Sequence, residues 1–589
     1  MKKYFTDVFG ADLRSLAALR LGCGLLILSD LIQRSTDLVA HYTDYGIAPR
    51  TLVMEHSSSR WYVSLHYMSG VWEVQALLFV VAGVAAIALL VGYRTQLASV
   101  LSWALFVSLC TRNPYIVQGG DMLLRVVLFW GMFLPWGAVY SVDGVWRDER
   151  AIPLSQRYVS WGTAAYVIQI ISMYWFTVAL KSGPQWWREG SAIYYALSID
   201  YLVTPIGKLL LDLPNGWLKI STWGVVLFEI VGPLLLLTPV RKGWVRLYTT
   251  ICFMLLHLVF LVCFFVGIFP LIGIICMAFF LPPVFWDRLQ RWLASPETHR
   301  VEVYYDQDCG FCLRTVRLIE TFFFPNIEIA GAQTVPQIEA EMRQRNSWVV
   351  LDARGERHFA YDAVVVVAAA SPLLRPFVPL LRLGVARWCG ERLYRHVATH
   401  RQTTCQLSSS SAADVGPFAK LRAAVVNTAL IGLILYVFVL NLSTLPDFKM
   451  RIPDTVRSVS NLTGLDQVWN MFAPFPAKDD GWYVIPGRLR NGRIVDLFRG
   501  GREVSFSKPA YASLEFKNHR WRKYMDLLRK RDPLPPAYAR YLCREWNRRH
   551  HGAETLEELE IIYVLEWTQP PADYSPVQKQ SVYKSDCRA

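Results

Sequence analysis

Charge is sparse in this chain of 589 residues, where Asp, Glu, Lys and Arg make up 18%. Acids are the scarcer sign, 47 against 61 Lys and Arg, giving a net charge of +14. The chain is 53% hydrophobic, with mean hydropathy +0.25. In so apolar a chain a basic excess argues against a nucleic-acid partner and for Lys and Arg gathered in cytoplasmic loops. Zinc-finger spacing is missing from the eleven cysteines, which leaves little support for a structural metal site. A small-x-small cleavage site is missing after the first apolar stretch, so the N-terminus reads as a retained membrane helix, not a cleaved signal peptide. An inverted repeat is also missing, which argues against a transporter.

Long apolar runs are what the chain does have. Stretches of about 20 residues can span a bilayer. Eight occur before residue 290, at 13–33, 72–92, 96–112, 122–141, 159–180, 217–239, 246–266 and 268–286, and a ninth at 423–442. Basic residues set the orientation. With the N-terminus inside, the inner loops hold Lys2, Lys3, Arg94, Arg147, Arg150, Arg157, Arg241, Lys242, Arg246, Arg288 and Arg291. The outer loops hold Arg50, Arg60, Arg112, Arg188 and Lys208. The expected fold is an α-helical polytopic membrane protein of about 8+1 transmembrane helices, bathed in membrane lipids, in a bacterial inner membrane. Its parts are a transmembrane domain (1–295), an inserted thioredoxin-like α/β domain (300–405), a linker (406–420), a final transmembrane helix (421–443) and a C-terminal α+β extramembrane domain (444–589). The α/β domain falls on the cytoplasmic side and the C-terminal domain on the outer side.

The α/β expectation rests on pattern. "RVEVYYD", "NIEIAGA" and "WVVLDARGERHFAY" read as strands, the last a hairpin turning at Gly355. "DAVVVVAAA" and "GVARWCGERLYRHVATHR" read as helices. Between the first strand and a helix lies "YYDQDCGFC", residues 304–312. Cys309 and Cys312 have the spacing of a dithiol redox pair. A helix start lowers the pKa of the first thiol, and one turn brings the second within reach. Cys309 is then the exposed nucleophile and Cys312 the resolving thiol, with Asp306 and Asp308 as acidic neighbours and Arg314 opposing them. The competing reading is half of a zinc site or two unrelated thiols.

Tyr305, Asp306, Asp308, Cys309 and Cys312, the Arg-rich helix after them, "DA" at 362–363 and "LYRHVATHR" resemble the DCC thiol-disulfide oxidoreductase family. The resemblance implies a thioredoxin-like fold and a redox role for both cysteines, and a dithiol of this kind calls for a redox partner protein.

Several polar residues interrupt the apolar runs: Arg20, Asp30, Asp121, Arg125, Lys181, Glu229 and His257. Such groups are costly in a membrane and mark functional or paired positions. Lys181 sits at the end of a span beside tryptophans, where it can act as a base or simply snorkel. "NPYIVQGGDMLLRVVLFWGMFLPWGAVYSVDG", "VALKSGPQWWREG", "LLHLVFLVCFFVGIFP", "VWNMFAPFPAKDDGWYVIPG" and "HRWRKYM" resemble the HTTM superfamily, whose membrane domain is shared with vitamin K-dependent gamma-carboxylase. The resemblance implies a quinone of the vitamin K type as cofactor, Lys181 as the base acting on it, supporting roles for His257 and Asp121, and an exported peptide as substrate. Two departures weigh against carboxylation of glutamate. Gly119-Gly120-Asp121 stand where the carboxylase has a histidine, and Leu180-Lys181 where it has a lysine pair.

In the C-terminal part, "MFAPFP" (471–476) reads as loop packing and His550-His551 as a solvated turn. Cys543 and Cys587 can form a disulfide if this part faces an oxidising space. Together these features predict a membrane-bound thiol-disulfide oxidoreductase coupled to a carboxylase-like membrane domain. The alternative is a non-enzymatic factor that matures or exports a secreted peptide.

Overall fold

The computed structural model describes residues 2–146, 157–239, 243–293, 301–323, 327–405, 419–450, 452–569, 573–574 and 576–588. Most of the expected linker (406–418) lies outside the described residues, as do Arg147, Arg150, Arg241 and Lys242 of the orientation argument.

Helices occupy all nine apolar stretches. Six are long and apolar enough to cross a membrane: Leu13–Ser35, Trp72–Val91, Trp161–Leu180, Asn215–Leu236, Trp244–Cys263 and Leu421–Leu442. A seventh span results if Phe269–Phe280 and Pro283–Trp292, bent by 98°, count as one. The count falls short of nine for physical reasons. Thr95–Arg112 carries polar residues at both ends and serines between them. Gly119–Gly131 runs for only 13 residues. It ends at Gly131, where the Trp136 ring occupies the space of a Cβ.

The short helices nevertheless alternate direction with the long ones. At one face, Ala11–Asp12 pairs with Arg157–Tyr158. At the same level Asp143 accepts from the Arg94 and Thr95 N–H groups, and Ser15 donates to the Leu281 carbonyl. At the opposite face Asn113 donates to the His41 carbonyl, and the Thr204 N–H to that of Cys263. Capping residues fix these ends: Asp12 accepts from the Arg14 N–H, and Ser160 and Thr163 form a reciprocal box. Gly92 ends its helix at φ +69°, a conformation that favours glycine, and a Cβ there would strike the Arg20 guanidinium.

The α/β domain is a four-stranded sheet in the order Ile327–Gly331, Val301–Tyr305, Val349–Leu351, Arg357–Phe359. The first pair is parallel and the other two are antiparallel. This is the thioredoxin-like arrangement expected, with Gly355 at φ +80° in the hairpin turn. Helices Gly310–Phe323 and Ala360–Ala370 cover one sheet face through Val316, Ala363 and Val367. Pro336–Arg345 covers the other through Ile338 and Met342.

The C-terminal domain is α+β. Its long strand Leu556–Gln569 pairs antiparallel with Asp479–Val484, Pro486–Leu489, Asp573–Tyr574 and Gln578–Asp586. Pro486–Leu489 and Ile494–Asp496 flank the Asn491-Gly492 turn. Helices His519–Leu528 and Leu534–Arg549 pack beside the sheet.

Candidate functional site

The dithiol sits where the first strand of the α/β domain hands over to Gly310–Phe323. The intervening loop is tightly held. The Cys309 N–H donates to the Asp306 carbonyl at 3.1 Å and the Cys312 N–H to the Cys309 carbonyl at 3.0 Å. Asp306 Oδ1 accepts from the Asp308 N–H at 3.2 Å and from Gln333 Nε2 at 2.8 Å. Asp306 therefore braces the loop. Asp308 is exposed.

Cys309 differs from the exposed nucleophile expected: it is 5% exposed, and Cys312 is 1% exposed. Cys309 is disulfide-bonded, and Cys312 is not its partner in that bond. Arg314 turns toward the membrane domain, its guanidinium 5.8 Å from the centre of the Trp146 ring. There Gly310–Phe323 packs on Val142–Val145. The junction encloses a cleft of about 410 Å³, lined by Asp12, Arg14 and Tyr140 from the bundle and Arg317, Glu320 and Thr321 from the dithiol helix.

The intramembrane polar residues form separate groups. Lys181 closes helix Trp161–Leu180, is 4% exposed, and forms an ion pair with Glu229. Its Nζ lies 4.5 Å above the Trp186 ring. The "MFAPFP" stretch packs against this loop. The Gly183 N–H donates to the Pro474 carbonyl at 2.9 Å and Trp186 Nε1 to the Phe472 carbonyl at 3.0 Å. His257 meets Tyr174, Nε2 to hydroxyl at 2.8 Å.

Asp121 belongs to a third group with Asp30, Arg34 and Arg520. Arg34 donates to Asp30 at 2.6 Å and to Asp121 at 2.5 Å. Arg520 donates to Asp30 at 2.5 Å and to Asp121 at 3.0 Å. All four are buried. Two carboxylates and two guanidiniums cancel in charge, which is how buried ions are accommodated. Sequence reasoning singled out the two acids and missed both arginines. Arg34 looks like an ordinary span-end cation, and Arg520 is 490 residues from Asp30.

A second cavity, of about 670 Å³, opens on the C-terminal-domain face. Tyr62, Ser443, Ser460, Asn461, Asp466 and Gln467 are among its lining residues. Asp466 is paired with Arg125 at 3.3 Å, and Gln467 accepts from Gln169 at 2.8 Å. The segment lining this cavity at 466–468 runs directly into the one packed on Lys181 at 472–474.

Comparison with protein families agrees with this division. Residues 10–286 match the HTTM domain, and residues 303–407 match the DCC1-like thiol-disulfide oxidoreductase. The chain joins an HTTM domain to a DCC1-like domain. No curated protein and no solved structure matches it. In the DCC1-like domain the matched segment holds the whole four-stranded sheet except its first two residues, together with both motif cysteines. In the HTTM domain it holds Lys181, Glu229, His257, Asp121, Asp30 and Arg34. Arg520, which completes the buried charge group, lies outside both matches. The chain is thus an integral multi-pass membrane protein with a role related to thiol-disulfide oxidoreduction.

Proposed function

We propose that the DCC1-like domain reduces disulfides on the cytoplasmic face of the membrane, while the C-terminal domain stands on the outer side. The observation that carries this reading is the Cys309–Cys312 pair at the start of a helix in a thioredoxin-order sheet. Thiolate Cys309 attacks a substrate disulfide and releases one substrate thiol. Cys312 then attacks the mixed disulfide and releases the second. Two electrons and two protons pass to the substrate, and a partner dithiol protein restores the pair. Sidedness is supported by the basic residues of the inner loops. It is also supported by the Cys543–Cys587 disulfide, a bond of oxidising compartments.

A quinone beside Lys181 does not fit the arrangement. The Lys181 ammonium is consumed by Glu229 and covered by Trp186, a closed ion pair instead of an open base. The cavity of about 670 Å³, rich in hydroxyl and amide groups, is the better candidate for an exported peptide, which such groups can hydrogen-bond along its backbone.

The test is reduction of a disulfide-bonded reporter by the purified full-length protein in detergent, with a dithiol donor. Cys309→Ser is expected to abolish turnover and leave the folded protein intact. Cys312→Ser is expected to trap a mixed disulfide. Full turnover by Cys309→Ser would remove the redox reading and favour the non-enzymatic one.

A further inference from the structure

The DCC1-like domain carries an apolar surface that its fold does not use. After helix Ala360–Ala370 the chain forms a short helical corner and then Gly384–Cys405. Phe377, Leu380, Leu383, Val385, Trp388 and Leu393 are each at least 55% exposed there. So many large apolar side chains in one short stretch of an extramembrane domain need a partner. The charge around them has one dominant sign, since residues 373–397 hold five arginines and one acid, Glu391. Arg392 lies over the Trp388 ring at 4.5 Å, which sets a cation beside an amphipathic aromatic.

Position narrows the partner. Gly384–Cys405 packs on Gly310–Phe323 and on Ala360–Ala370, within the helical layer that meets the membrane domain at Val142–Val145. The helix before the domain, Pro283–Leu293, turns 98° from Phe269–Phe280 and leaves Trp292 79% exposed. Apolar residues ringed by arginines, on a domain tethered to the bilayer at both ends, match the interfacial zone of an anionic membrane.

We propose that residues 373–397 form a lipid-docking surface, with Phe377, Leu380, Leu383 and Val385 entering the acyl boundary and Arg382 and Arg392 facing anionic headgroups. Docking there holds the dithiol domain against the bilayer and limits its exchange partners to proteins that approach the membrane. The inference stands on this surface alone, whatever disulfide the cysteines act upon.

The full-length protein in nanodiscs provides the test. A photoreactive benzoylphenylalanine replaces Leu380, Val385 or, as a control on the exposed hairpin, Arg354. Discs contain phosphatidylglycerol with phosphatidylcholine, or phosphatidylcholine alone, and lipid adducts are counted by mass. The expected result is several-fold more adduct at 380 and 385 than at 354. That excess should shrink without phosphatidylglycerol and in the double variant Arg382→Glu, Arg392→Glu, whose unchanged melting temperature in detergent confirms that it is folded. Equal labelling at all three positions would overturn the proposal. So would adducts to a second copy of the chain, or, in native membranes, to another protein in place of lipid.

Discussion

The two extramembrane domains are attached to the same bundle in opposite ways. The C-terminal domain is built into it. Arg520 reaches between Asp30 and Asp121, Lys517 and Asn518 bind Asp37, and Ser513 donates its N–H to the Asp200 carbonyl. The DCC1-like domain instead leans on the other face through Arg314, Trp146 and a cleft lined by charged side chains. Removing a partner from a buried charge group strands ions in a medium that cannot solvate them, whereas parting a solvated junction does not. The C-terminal domain therefore completes the membrane domain, and the dithiol domain is a module fastened to it.

The sharpest way to break this contrast is Arg520→Ala. It leaves Asp30 and Asp121 short of a cation and is expected to cost about 3–5 kcal/mol, read as a fall in thermal stability of the detergent-solubilised protein. Arg520→Lys should recover little, because an ammonium cannot span both carboxylates as a planar fork does. Next, Cys587→Ser opens the Cys543–Cys587 bridge, which links residues 44 apart, and should cost about 2–4 kcal/mol. Limited proteolysis would place that loss in the C-terminal domain, with the bundle unaffected. A pH dependence should mark the same seam. Burial, then the charge of Asp200, pushes the Asp480 carboxyl up to about 7. A raised carboxyl pKa means the folded state holds the proton longer, so this contribution to stability is full below 3.8 and lost as pH rises through about 7. Asp480→Asn should flatten that decline in a pH series of melting temperatures. The smallest effect belongs to the other face. Trp146→Ala removes a cation–π contact of about 0.5–1 kcal/mol and should loosen the dithiol domain, seen as faster amide exchange in Gly310–Phe323, with the bundle melting unchanged.

Much of this architecture could be read from the residues, and the parts that could not share a cause. Local pattern announced the dithiol loop, the sheet of the DCC1-like domain, the Asn491-Gly492 hairpin and the position of every membrane helix, because each depends on neighbours in the chain. Helix length was less legible. Apolar residues continue past Gly131 and Leu281, so hydropathy runs on where the backbone stops, and Pro135, Pro282 and Pro283 were the only local warning. Pairings across the chain were not legible at all. Lys181 and Glu229 each stood out as costly residues, but nothing local joins positions 48 apart on different helices. The burial of Cys309 and its bonding away from Cys312 were equally beyond spacing.

The route by which the chain enters and leaves the DCC1-like domain has a consequence for its evolution and engineering. Arg14 binds Asp287 at the point of departure, and the same face carries the ribbon that ties Asp12 to Arg157. On return, Ala419–Leu442 runs alongside Trp161–Leu180, with Phe438 beside Phe176. Exit and re-entry thus fall on one face of the bundle, like the two ends of a cassette plugged into a socket. Such a socket tolerates exchange of its contents. A short linker, or an unrelated soluble domain, in place of the dithiol module should leave the bundle and its C-terminal cap to assemble as before.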